Sequence, residues 1–139
     1  MKQKYKKILI VDLCSRTPYR VKVSLIHKGE ILIGTLDAVY PTDDRVIVDN
    51  LSKAIAPIDV RVGGFLIDRD KVKPYLRPMS SMTEKEEEEY ESLVAWHESY
   101  EIVDWLNAHH FDYRGLIPLG LAIDVTTLED NPYNDEFIY

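Results

Sequence analysis

Val21, Val23 and Leu25 alternate with Arg20, Lys22 and Ser24, the period of two that marks a half-buried strand. His27-Lys28-Gly29-Glu30 reads as a turn, and residues 31–39 as a second strand, with Ile31, Ile33 and Thr35 on one face and Leu32, Leu36 and part of Ala38 on or near the other. Gly34 stands in the middle of that strand. Glycine there permits a sharp bend or a close backbone approach, as at the corner of a small barrel. After the polar turn Tyr40-Pro41-Thr42-Asp43-Asp44, alternation resumes over residues 45–49 and 58–62. Gly63-Gly64 supply another turn, FLID begins a last strand, and Pro74 and Pro78 are expected to end the sheet. Five short strands with frequent turns favour a small antiparallel barrel over a sandwich.

Residues 6–16, KKILIVDLCSR, fit either a helix or a strand. Ile8, Ile10 and Val11 favour a strand, while Leu9 and Leu13 with Asp12 and Ser15 allow one helical stripe. Thr17-Pro18 ends the element in either case. Thr83 followed three residues later by Glu86 is a capping-box signature, and the acidic run Glu84 to Glu91 suits a helix N-terminus. Tyr90, Leu93, Val94, Trp96, Tyr100, Val103, Trp105 and Leu106 then recur at steps of three and four. This predicts helix to about Asn107, broken near Ser99, with Leu93, Trp96, Val103 and Leu106 covering the barrel. Gly115, Pro118 and Gly120 exclude a long helix afterwards, and Leu119, Leu121, Ile123 and Val125 alternate as an extended strand. The fold class expected is α+β: a five-stranded antiparallel barrel with an N-terminal helix or strand over residues 1–80, and an acidic helical extension with an irregular tail over residues 81–139.

Charge changes this picture, because the net −7 is unevenly spread. Residues 1–80 hold 15 Lys and Arg against 9 Asp and Glu, and residues 81–139 hold 2 against 15. A basic half can attract phosphates, and an acidic half can repel them or cover the basic surface. No apolar run approaches the roughly 20 residues that span a bilayer, and the lysines of MKQKYKKILIVDL lead to Asp12 instead of a long apolar core. A cytoplasmic protein with no membrane partner is therefore expected. The single cysteine, Cys14, forms no internal disulfide and reads as a small buried hydrophobe.

The stretch VKVSLIHKGEILIGTLDAV resembles the first motif of Sm and Sm-like proteins, and FLIDRDKVKPYL resembles the second, together over about residues 20–78. The resemblance implies a five-stranded barrel whose second strand bends at a Gly-x-Leu step. Sm-like proteins bind uridine-rich RNA through an Asp and an Asn after the second strand and an Arg-Gly pair before the last. Tyr40, Asp44, Asp68 and Arg69 stand at the aligned positions here, and none matches, so the resemblance carries the fold and not the RNA pocket. Tudor-like barrels share the pattern. The segments KPYLRPMSSMTEKE and DWLNAHHFDYRGLIPLGLAID resemble small uncharacterised proteins of gut Bacteroidetes and their phages or mobile elements, which implies a cytoplasmic protein and brings no catalytic residues.

Candidate chemistry is sparse. HESYE, residues 97–101, departs from a zinc-protease H-E-x-x-H helix at its last position, leaving His97 and Glu101 as the start of a carboxylate-rich metal site with His109, His110 or Asp112 to complete it. His109-His110 also read as a helix end, whose dipole favours imidazolium. No G-x-S-x-G elbow or phosphate loop occurs. Lys2, Lys4, Lys6, Lys7, Arg16, Arg20, Lys22 and Lys28, with Tyr5 and Tyr19 among them, form a basic stretch, and Lys4, Lys6, Lys7, Arg20 and Lys22 are its nucleic-acid site candidates. Trp96 and Trp105 are the candidates for a protein contact. The reading these observations favour is a non-enzymatic module that binds a protein or itself, with no cofactor, metal or catalytic residue assigned. Nucleic-acid binding through the basic half is the alternative, and a metal-dependent enzyme at His97 and Glu101 the next.

Overall fold

The computed structural model describes residues 3–40, 45–53 and 65–133. The ambiguous N-terminal segment is a helix, α1 (Gln3–Arg16), and it buries Leu9, Asp12, Leu13 and Arg16. These positions are spaced by three, one and three residues, which places them on one helical face. Half of that buried face is charged, so an apolar-only pattern could not separate helix from strand. Cys14 points away from this face and is exposed, contrary to the buried role expected for it.

After a 3₁₀ turn at Thr17–Tyr19 come β1 (Lys22–His27), β2 (Glu30–Tyr40), β3 (Arg45–Lys53) and β4 (Phe65–Asp68). A second 3₁₀ turn, Arg69–Lys71, leads into β5 (Val72–Pro78). The helices α2 (Glu84–Trp96) and α3 (Ser99–Ala108) follow, then β6 (Phe111–Asp112) and β7 (Ile123–Asp124). The sheet order is β4-β3-β2-β1-β5-β6, with β7 also on β5. The first five strands pair antiparallel, whereas β6 and β7 lie parallel to β5. The α+β class therefore holds, but among the described residues the sheet is open and seven-stranded where a closed five-stranded barrel was expected. β5, which would have to meet β4 to close a barrel, instead pairs with β1 at residues 72–74 and with β6 and β7 at residues 75–78. The strand expected at 58–62 lies outside the described residues. Pro74 and Pro78 do not end the sheet; both belong to β5, and Pro74 stands opposite Val23.

The sheet buries both faces. Val23, Leu25, Leu36, Val46, Val48, Val72 and Leu76 form one core with Leu9 and Leu13 of α1. Tyr75, Val125 and Tyr133 form a second, against which Ile33 and Ile123 pack. Adjacent Tyr75 and Leu76 thus serve opposite faces, as side chains along a strand must. Each fully buried aliphatic or aromatic side chain contributes about 1.5–3 kcal/mol. The helical stripe behaves otherwise than expected. Leu106 is buried, but α2 buries no residue and Trp96 is 83% exposed. The break between the helices falls at His97 and Glu98.

Gly34 answers to a close approach. A Cβ there would lie 2.3 Å from Val48 Cγ1 and 2.9 Å from the Asp49 carbonyl oxygen, and the β2–β3 register shifts between Ile33 and Thr35. Tyr133 closes the other weak point. The β1–β5 register runs Leu25↔Val72, Ser24↔Lys73, Val23↔Pro74, so Lys22 and Tyr75 are next in line. Between them the Tyr133 hydroxyl accepts from the Lys22 N–H at 2.9 Å and donates to the Tyr75 carbonyl at 2.7 Å. A side chain from the far end of the chain thus does the work of one ladder bond.

Two outcomes follow for urea denaturation. Gly34→Val should lower stability by about 1–3 kcal/mol through overpacking, although valine is the better strand former; a raised midpoint would reject the close-approach reading. Tyr133→Phe should cost about 1–3 kcal/mol because a buried donor and a buried acceptor lose their partner, and an unchanged midpoint would show that the hydroxyl bridge is dispensable.

Candidate functional site

Three polar assemblies and two surface features organise the molecule. Asp12, fully buried, accepts from Arg16 Nε at 2.7 Å and from Arg114 Nη1 at 3.0 Å. Arg16 Nη2 donates to the Phe111 carbonyl at 2.7 Å. Arg114 Nη1 also lies 3.0 Å from Ser15 Oγ and 2.9 Å from the Tyr113 hydroxyl, which donates to Asn107 Oδ1 at 2.8 Å. Every member is engaged in tying α1 to residues 107–114, so this assembly is a clamp.

The second assembly sits where β5 meets α2. Arg77 Nη2 and Nη1 reach the two Glu86 oxygens at 2.6 and 2.8 Å, and the guanidinium covers the Phe111 ring at 4.2 Å. Glu86 also closes the capping box foreseen with Thr83. Burial acts to raise the Glu86 carboxyl, but hydrogen bonds from Arg77 and Thr83 and the Arg77 charge outweigh it and hold it at about 2.

The third is the histidine pair. His109 Nδ1 donates to the Trp105 carbonyl at 2.9 Å. His110 adopts a left-handed φ of 62°, and its buried ring stacks on Tyr133 at 3.8 Å. Burial, followed by the charges of Arg16, Arg77, His109 and Lys22, lowers His110 to about 3. For this histidine burial defeats the helix-end effect, and it is neutral at pH 7.

On the surface, the two tryptophans part company. Trp105 stacks with Tyr90, His109 and Phe111 at 5.9, 4.2 and 5.8 Å and donates to Glu89 at 3.3 Å. Trp96 stands at the α2–α3 elbow, and within the same seven residues Val94 and Tyr100 are also exposed large apolar side chains. From Glu86 to Tyr113 the chain contains no Lys or Arg, so this apolar tip lies in a field of carboxylates. His97 Nδ1 pairs with Glu101 there. Among the described residues no group of three or more His, Cys, Asp and Glu could hold a metal ion, so the structure supplies no further ligand to that pair.

The second surface feature is a cleft of about 290 Å³ lined by Ile26, His27, Lys28, Arg45, Leu66, Ile67, Asp68 and Lys71. Its walls come from β1, β3, β4 and the turn before β5, so the antiparallel sheet curls until its two ends share one opening. Ile26 is 58% exposed, and its partner across the hairpin, Ile31, is exposed beside it. No family model, curated protein or solved structure matches this chain. The site therefore rests on its own geometry.

The predicted basic residues do not form one patch. Lys4, Lys6 and Lys7 lie at the start of α1, and Lys6 pairs with Asp70 at 3.8 Å. Arg20 and Lys22 follow the other end of the helix, roughly 21 Å away at 1.5 Å per residue. Of the basic cluster the structure does assemble, Lys28, Arg45 and Lys71, only Lys28 stood in the basic stretch read from the sequence. Those residues are far apart along the chain and only strand order brings them together. The signal available was the hairpin pair Ile26 and Ile31 on the face expected to be polar.

His110 and Glu86 make stability fall in acid by two routes. Both have lower pKa values folded than unfolded, so the unfolded chain takes up protons first and stability rises with pH through each window. The window is about 3 to 6.5 for His110 and about 2 to 4.5 for Glu86. His110→Asn, which tolerates the left-handed backbone, should flatten the pH dependence of the urea midpoint between about pH 4.5 and 6.5, while Glu86→Gln should flatten only the part below. An unchanged slope in His110→Asn would reject the buried-neutral assignment.

Proposed function

We propose that this chain is a non-enzymatic interaction module built on a small Sm-like or Tudor-like sheet, and that it docks a protein partner through the α2–α3 elbow. The barrel-type reading is supported by the order β4-β3-β2-β1-β5, by the helix α1 on one core and by the cleft shared by the ends of the curled sheet. The docking reading is carried by one observation: Trp96 is 83% exposed on a helix that buries nothing. Tryptophan is favoured at binding hot spots, where one large side chain is desolvated by its partner. Its surroundings specify that partner's chemistry. Glu98 is exposed two residues after Trp96, and the segment from Glu86 to Tyr113 carries no Lys or Arg, so complementarity calls for a surface that is apolar at its centre and basic at its rim.

The elbow also explains why RNA is the weaker alternative. Its carboxylates repel phosphates, and the lysines of α1 are separated from Arg20 and Lys22 by the length of the helix.

Tryptophan emission distinguishes the two. Lys- and Arg-rich amphipathic peptides should shift the emission of the intact protein, and the shift should vanish in Trp96→Ala while the melting curve stays put, since surface substitutions change stability within about 0.5 kcal/mol. Single-stranded RNA should bind weakly even at ~50 mM salt, where attraction is least screened. Tight, salt-sensitive RNA binding that Lys4, Lys6, Lys7 and Lys22 changed to glutamine abolish would transfer the function to the basic half.

A further inference from the structure

The basic-lined cleft at the open end of the sheet has the chemistry that the elbow demands of a partner. Ile26 and Leu66 give it exposed apolar side chains, and among the described residues that line it Lys28, Arg45 and Lys71 stand against one carboxylate, Asp68. At about 290 Å³ it falls at the lower limit of the ~300–1,000 Å³ typical of small-ligand pockets, a size that suits one large side chain better than a cofactor. Exposed Ile31 extends this apolar surface along the hairpin.

We propose that this cleft receives the α2–α3 elbow of a second copy of the chain, with Trp96 entering between Ile26 and Leu66 and Glu98 meeting Lys28 and Lys71. The inference rests on the elbow being a docking surface, and adds what it docks on. Charge complementarity selects the occupant. The elbow segment from Glu86 to Tyr113 has no Lys or Arg, the described lining of the cleft has three and one carboxylate, and each carries exposed apolar side chains.

The contact is made between chains. Trp96 is not among the residues that line its own cleft. The cleft lies at the Lys71 end of β5, whereas α2 is anchored by Glu86 to Arg77 at the other end. Six residues of strand separate those points by roughly 20 Å. Elbow-in-cleft is a heterologous contact, so it closes as a reciprocal dimer or a ring, or continues as a chain of copies.

Sedimentation velocity of the full chain tests this. At ~50 mM salt the mass should rise from one chain to two or more between about 1 and 300 μM, and it should fall back at ~500 mM salt as the charges are screened. Trp96→Ala should weaken association at least ~10-fold. Lys28→Glu with Lys71→Glu should abolish it, and Glu98→Lys should weaken it. Mixing these two charge-reversed proteins should restore assembly, because each reversed cleft then faces a reversed elbow.

A chain that stays monomeric at low salt overturns the proposal, as does an oligomer indifferent to the cleft and elbow substitutions alike, or a mixture that fails to reassemble. If basic peptides still bind the elbow while the protein remains monomeric, the docking reading stands and this occupant is wrong. RNA binding that requires Lys28 and Lys71, without self-association, would also overturn it and make the cleft a phosphate site.

Discussion

A carboxylate without access to water has to be held by cations, and Asp12 is held by two: Arg16 from its own helix and Arg114 from about a hundred residues later. Removing one partner from such a buried arrangement typically costs about 3–5 kcal/mol, because a charge is left uncompensated. The placement of α1 therefore depends on residues 111–114 as well as on the sheet. Arg16 extends the same constraint to the Phe111 carbonyl, and Phe111 belongs to the strand that pairs with Arg77 of β5. One ionic cluster thereby places the N-terminal helix, the outermost long strand and the start of the C-terminal segment relative to one another.

That placement decides the shape of the sheet. An unpaired strand edge is a template for unwanted association and is usually blunted or covered. Here β5 is covered by β6 and β7, while Tyr133 bridges the point at which β1 and β5 stop pairing. The C-terminal segment consequently acts as part of the sheet. Self-association by strand addition at residues 75–78 of β5 is blocked by the chain itself.

The sequence made the period-two strands, the capping box at Thr83 and Glu86, and the special role of Gly34 legible, because each is a local signal with a local cause. It left α1 undecided because Asp12 and Arg16 occupy apolar positions on the buried face, and their partners lie far off in sequence. It extended the burial of the helical stripe too far for a related reason. Spacing shows which residues share a face, not whether another element reaches that face, and α2 is fastened at its start by Arg77 and beside its middle by Trp105 without being covered. The cleft was invisible, since Lys28, Arg45 and Lys71 meet only through strand order.

The exposure that leaves α2 without a buried residue also leaves it suited to another molecule. A helix with no buried residue draws its stability from its cap, from the Arg77–Glu86 pair and from the Tyr90–Trp105 stack. These contacts secure its sides and N-terminal end. Its C-terminal end, bearing Trp96, makes no comparable contact among those described. Holding a large apolar side chain in water forgoes the ~1.5–3 kcal/mol its burial would return. Because the helix is already held elsewhere, that free energy is not needed for folding and remains available for association. A rigidly presented aromatic anchor loses little conformational freedom on docking, so the features that make the elbow marginal for folding are those that favour it as a contact.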